Sequence, residues 1–67
     1  VLLVLPLTGD APAMTQDVRE LLRLRRELPE STIVLEDRGL TPESRALAEY
    51  FSQRYRRVEL REAPPPP

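Results

Sequence analysis

The chain has 67 residues, with ten arginines against eleven acidic residues and neither lysine, histidine nor cysteine. A chain of this length forms one small domain whose own core gives marginal stability, and no disulfide adds to it. The near-neutral charge argues against a general nucleic-acid binder, and no apolar stretch reaches the roughly 20 residues that a membrane helix needs.

The first half of the chain predicts a strand and then a helix. Residues 1–5 form a continuous apolar run that ends at Pro6. Such a run is typical of a strand that is buried on both faces of a sheet. Apolar residues then recur at helical spacing and predict a helix at about 12–28, which Pro29 ends.

Arg25 is the anomalous residue of this helix. On a helical wheel it lies between Met14 and Val18, in the middle of the apolar stripe. A guanidinium without a partner in that position would be strongly destabilising. We therefore expect its side chain to extend past the helix end or to pair with a carboxylate, either Glu30 or one from a partner chain.

Two more strands are predicted in the second half of the chain. Residues 32–35 repeat the buried pattern in shorter form. Residues 57–61 alternate in polarity, with Val58 and Leu60 on one side. This alternation predicts a half-exposed strand at the edge of a sheet.

A second helix is predicted between these strands, at about 42–55. Thr41 is a typical N-cap residue, and Pro42 suits the first helical position. The apolar stripe of this helix consists of Leu47, Phe51 and Tyr55. On its outer face, Arg45 and Glu49 are spaced to form an ion pair.

The order strand, helix, strand, helix, strand predicts an α/β fold, a small βαβαβ unit with a three-stranded parallel sheet. Right-handed crossovers allow two strand orders. Order 2-1-3 places the helices on opposite faces, whereas order 3-2-1 places both helices on one face and leaves the other bare. We favour 2-1-3, because the first strand has the longest apolar run. The domain spans residues 1–62, and residues 63–67 form a proline-rich tail or linker.

The composition excludes several chemistries. Without histidine and cysteine there is no Ser-His-Asp triad and no ordinary zinc site, and without lysine there is no Schiff base. Carboxylates remain: Asp10 follows the first strand, and Glu36 and Asp37 follow the second. They could meet at the carboxyl edge of the sheet and hold Mg²⁺ with a phosphate substrate. We favour a structural loop instead, because strand ends need polar turns in any case.

The segments LPLTGD and IVLEDRGLTPESRALAEYF carry a resemblance that covers residues 3–51. This part of the chain resembles the start of type I periplasmic-binding (branched-chain amino acid receptor-like) domains. The glycine usual in the first helix of that family is missing here. The resemblance implies a non-catalytic binding role in the periplasm or cell envelope. The family's ligand contacts lie largely outside this region, so the resemblance assigns no site residue.

The sequence thus predicts a non-catalytic interaction or assembly module, part of a larger protein or of a homo-oligomer. It would need no cofactor and would bind a protein partner or a second copy rather than nucleic acid. The residues that we expect to contact the partner are Arg25, Val58 and Leu60. The alternative is a Mg²⁺-dependent phosphate-handling enzyme or phosphoacceptor domain that uses the three strand-end carboxylates.

Overall fold

The structure is a computed structural model that describes residues 1–64, so residues 65–67 of the predicted proline-rich tail lie outside the described residues. Strands and helices alternate as predicted. In chain order they are β1 (Leu2–Gly9), α1 (Met14–Leu24), β2 (Thr32–Leu40), α2 (Pro42–Arg54) and β3 (Val58–Glu62). The three strands are parallel and form one sheet, which confirms the α/β class.

The strand order is β1-β2-β3, so our preference for order 2-1-3 is wrong. The observed order is the alternative 3-2-1, counted from the other edge of the sheet. The central strand is β2, in which Ile33, Val34 and Leu35 are buried in succession. In β1, by contrast, buried or half-buried residues alternate with exposed ones, as in an edge strand. Pro6 agrees with this edge position. Proline has no backbone N–H, so it could not donate a hydrogen bond to a second neighbouring strand of β1.

Both helices pack on one face of the sheet, as right-handed crossovers require for this strand order. The buried core between helices and sheet consists of Leu7, Met14, Val18, Ile33, Leu35, Ala48, Phe51 and Val58. Val34 is also buried but is not part of this cluster. Since side chains alternate along a strand, Val34 points to the opposite face of the sheet.

The second strand is longer than predicted and reaches Leu40. Glu36, Asp37 and Arg38 therefore lie within a strand and not in a loop after it. The register between β1 and β2 shifts just before Leu40. Gly39 lies at this shift with a φ of +114°, a conformation that residues with a side chain rarely adopt.

The start of α2 confirms the predicted cap. Thr41 Oγ1 accepts a hydrogen bond from the backbone N–H of Ser44 at 3.2 Å, and Pro42 is the first helical residue. The buried residues of this helix are Ser44, Ala48 and Phe51. The predicted apolar stripe was wrong at Leu47, which is exposed. The buried face of α2 is rotated away from Leu47, toward the small residues Ser44 and Ala48.

The first helix is shorter than the predicted range of 12–28. It begins at Met14 and ends at Leu24, and tight turns continue the chain to Pro29. Met14 and Val18 are buried as expected, whereas Leu28 is exposed because it lies beyond the helix. The apolar periodicity therefore identified the helix correctly but not its end.

Candidate functional site

Asp37 stabilises the carboxyl edge of the sheet. It points to the helix side of β2, where its Oδ1 accepts the backbone N–H groups of Gly39 at 2.9 Å and Leu40 at 2.8 Å. Its Oδ2 accepts a hydrogen bond from Nη1 of Arg45 on α2. The side chain is only 12% exposed. The carboxylate therefore fixes the irregular end of β2 and attaches α2 to this strand.

These hydrogen bonds lower the pKa of Asp37 below its ordinary value of 3.8. The backbone N–H of Leu40 is the largest cause, followed by that of Gly39, because both stabilise the charged carboxylate. Partial burial opposes this effect, and the guanidinium of Arg45 adds to it. The pKa of a general base at neutral pH would lie close to 7, so this environment suits a structural carboxylate.

Arg45 links three elements at the same edge. Besides contacting Asp37, its Nε lies 3.4 Å from Oε1 of Glu49, the pair that the helical spacing predicts. Its Nη1 also lies 3.7 Å from Oε1 of Glu62 on β3. The hydrogen bond to Asp37 is the largest cause that raises the pKa of Arg45 above its ordinary value. Sequence reasoning found the pair within α2 and missed the two contacts across the fold.

The other two predicted metal ligands do not join Asp37 in one cluster. Glu36 points to the opposite face of the sheet, where its Oε1 accepts a hydrogen bond from Arg38 Nη1 at 2.9 Å. Asp10 has an exposed side chain, and its backbone carbonyl oxygen accepts a hydrogen bond from Ser44 Oγ at 2.8 Å. Within residues 1–64, no three acidic side chains are close enough to share a metal ion.

Arg25 binds main-chain oxygens at the opposite, amino edge of the sheet. It is the first residue after α1, and its Nη1 donates to the carbonyl oxygens of Arg56 at 2.5 Å and Arg57 at 3.1 Å. Among the described residues it forms no ion pair, either with Glu30 or with another carboxylate. The partner of Arg25 within the chain is thus the backbone of the turn between α2 and β3, and not the carboxylate that we predicted as one alternative.

Substitution of Arg25 by leucine will lower the free energy of unfolding by about 1 kcal/mol, because the carbonyl oxygen of Arg56 loses the Arg25 donor and that of Arg57 keeps only the N–H of Ile33. Arg26→Leu removes a neighbouring exposed arginine and is the control, with an expected change within about 0.5 kcal/mol. Urea denaturation followed by circular dichroism measures both variants. Equal unfolding midpoints for the two variants would show that the contacts of Arg25 contribute nothing measurable.

The two predicted contact residues on β3 face the helices. Val58 is buried in the core and Leu60 is packed against it. The side chain of Val58 is therefore inaccessible to a partner, and that of Leu60 is only partly exposed. The backbone N–H of Ile33 donates to the carbonyl oxygen of Arg57. By the alternation of a parallel ladder, the backbone groups of Val58 and Leu60 point to the outer edge of β3. Partner contact along this edge stays a prediction.

No part of residues 1–64 covers the sheet face opposite the helices, and we call it the open face. Its residues are Leu2, Val4 and Pro6 of β1, Thr32, Val34 and Glu36 of β2, and Glu59 and Arg61 of β3. Leu2 and Val4 are 56% and 50% exposed. Sequence reasoning gave such a bare face only for order 3-2-1, which it did not favour because it placed β1 at the centre of the sheet. Pro6 was the signal that indicated an edge strand.

Comparison with protein-family models, with curated proteins and with solved structures found no match to this chain. The resemblance to periplasmic-binding domains therefore stays a prediction. Neither α1 nor α2 is long and apolar enough to cross a membrane, and this covers all helices in the described part of the chain.

Proposed function

We propose that this chain is a non-catalytic assembly module that pairs with a second copy of itself through the open face. The observation that carries the proposal is the position of both helices on one side of a three-stranded parallel sheet. Parallel sheets normally have both faces covered. Here Leu2 and Val4 are about half exposed on the uncovered side, next to Pro6.

The charges of the open face favour a second copy as the partner. Glu59 and Arg61 lie two residues apart on β3, on either side of the row in which Leu5, Leu35 and Leu60 are in register. A two-fold axis along this row would place Glu59 of each copy opposite Arg61 of the other. The same axis would bring the apolar β1 strands together. The face is thus complementary to itself in charge along β3 and in apolarity along β1.

The size of the open face indicates a weak dimer. Three strands at a spacing of about 4.8 Å make it roughly 14 Å wide, and its length is roughly 20 Å. Two such faces bury less than about 1,200 Å² in total, which is the range of transient interfaces. We therefore expect a dissociation constant of roughly 10–100 μM.

Val4→Arg will abolish the pairing, because it places a charge in the apolar part of the contact, where the β1 strands meet. Leu24→Arg is the matched control: Leu24 is 47% exposed but lies on α1, away from the open face. Sedimentation velocity from micromolar to submillimolar concentration measures the dimer fraction of each protein. The wild-type chain and the control are expected to dimerise, and Val4→Arg to remain a folded monomer.

A charge exchange tests the proposed geometry separately. Glu59→Arg alone will prevent dimerisation, because it places like charges opposite each other twice in a symmetric pair. The double variant Glu59→Arg with Arg61→Glu restores both opposite-charge contacts and will dimerise again. A wild-type chain that stays monomeric at submillimolar concentration would overturn the proposal. So would a double variant that behaves like the single one.

A location in the cell envelope rests on the sequence resemblance alone. The Mg²⁺-dependent alternative gains no support from the carboxyl edge, where Asp37 is bound by Arg45 and by two backbone N–H groups.

A further inference from the structure

A second surface lies at the amino edge of the sheet, apart from the open face. There the end of α1 and the turn before β3 surround a concavity of about 250 Å³. We call it the arginine pocket; its lining residues are Arg25, Pro29, Glu30, Arg56 and Arg57. Three guanidinium groups and one carboxylate give it a positive charge. The C-terminal ends of the two helices contribute about half a negative charge each and leave an excess of positive charge.

The backbone around the arginine pocket is held in an unusual conformation. Arg57 has a φ of +54°, in the left-handed region that residues with a side chain seldom occupy. Its carbonyl oxygen accepts hydrogen bonds from Ile33 N at 2.8 Å and Arg25 Nη1 at 3.1 Å. Its own Nη1 donates to the carbonyl oxygen of Pro29 at 3.3 Å. These contacts fix the turn, so the guanidinium groups of Arg25 and Arg57 are positioned before any ligand arrives.

Most donors of these three arginines have no partner within residues 1–64. A guanidinium has five N–H donors. Arg25 and Arg57 each donate through Nη1 to main-chain oxygens, and the side chain of Arg56 makes no hydrogen bond to the described residues. The arginines that do pair with carboxylates are Arg23, Arg38, Arg45 and Arg61, and none of them lines the pocket. The arginine pocket therefore concentrates donors for an anion.

We propose that the arginine pocket binds a small phosphomonoester. A phosphomonoester has three terminal oxygens, one for each of the three guanidinium groups, whereas a carboxylate has two. Its charge of about −1.5 to −2 at neutral pH is also attracted more strongly by the positive excess of the pocket than a single negative charge is. The volume is below the usual range of about 300–1,000 Å³ for drug-sized ligands, so the phosphate with a small substituent fits best.

Phenyl phosphate is the probe, and benzoate is its carboxylate counterpart. Both are titrated into the labelled full chain at low ionic strength, and amide shifts are followed by NMR. We expect saturable binding of phenyl phosphate at submillimolar concentration, with the largest shifts at residues 25, 30, 56 and 57. Benzoate should bind about tenfold more weakly or not at all. Arg56→Ala leaves the main-chain contacts of the turn in place and is expected to weaken binding at least about tenfold.

Arg19→Ala is the matched control, because it removes the same charge from an exposed position on α1 outside the arginine pocket. We expect it to change affinity less than about twofold. The proposal is overturned if phenyl phosphate shows no saturable binding below about 10 mM, because a dissociation constant that high is typical of a non-specific contact. It is also overturned if benzoate binds equally well, or if the two arginine variants lose affinity to the same extent. Binding of an oligonucleotide without binding of phenyl phosphate would point to a backbone-tracking surface instead.

Discussion

Leu35→Ala will remove a large part of the stability of this domain. Leu35 is fully buried at the centre of β2, in register with Leu5 on one side and Leu60 on the other. Truncation of a buried leucine to alanine lowers stability by about 2–5 kcal/mol, because it loses burial and leaves a cavity. A domain of this length has roughly 3–10 kcal/mol in total. We expect the variant to be largely unfolded at 37 °C.

Leu47→Ala is the control for this experiment, because it removes the same atoms from an exposed position on α2. Leu47 is 38% exposed and lies outside the core cluster. Its truncation should change the free energy of unfolding by less than about 0.5 kcal/mol. Thermal denaturation followed by circular dichroism measures both. If Leu35→Ala melts within a few degrees of the control, then β2 is not the centre of the core.

Local chemistry made the helices and strands predictable. The cap at Thr41 and the proline after it depend on neighbouring residues alone, and the structure confirms both. The pair between Arg45 and Glu49 is likewise a property of one helix. Element order, and with it the α/β class, follows from patterns of this kind, because each is complete within a few residues of sequence.

Strand order could not be derived in the same way. An apolar run predicts a strand, but it does not show which other strands lie beside that strand in the sheet. In β1 the exposed residues Leu2 and Val4 are as apolar as the packed residues Leu3 and Leu5, so the sequence pattern resembles that of a central strand. Pro6 carried the contrary signal, since proline within a strand favours an edge.

The contacts that Arg45 and Arg25 make with residues distant in sequence could not be predicted, for a related reason. Arg45 reaches Asp37 and Glu62 because α2 packs over the end of β2 beside β3. Arg25 reaches the turn before β3 because α1 ends at the same edge of the sheet. Both arginines are long enough to have several possible partners in the sequence. Packing of the helices on the sheet selects among these, and sequence spacing does not.

Asp37 provides a test of one such contact through its dependence on pH. Its pKa in the folded chain lies below the ordinary value of 3.8, so the unfolded chain binds more protons between these two pKa values. Stability therefore rises with pH through this window, is fully present above it, and is lost as the pH falls through the lowered pKa of the folded state. Asp37→Asn removes this component, because an amide does not titrate.

We expect Asp37→Ala to lower the free energy of unfolding at neutral pH by about 1–3 kcal/mol, because the N–H groups of Gly39 and Leu40 lose their acceptor. Asp37→Asn should lose less, since its side-chain oxygen can still accept these bonds. Glu49→Gln removes the charge of a second, exposed partner of Arg45. It should change the free energy of unfolding by less than about 0.5 kcal/mol. Urea denaturation from about pH 6 to pH 2.5 separates these effects, because the other carboxylates are common to the wild-type chain and Asp37→Asn. If the free energy of unfolding of these two proteins changed with pH in parallel, the pKa of Asp37 would be the same in the folded and the unfolded chain, and the lowered pKa would be contradicted.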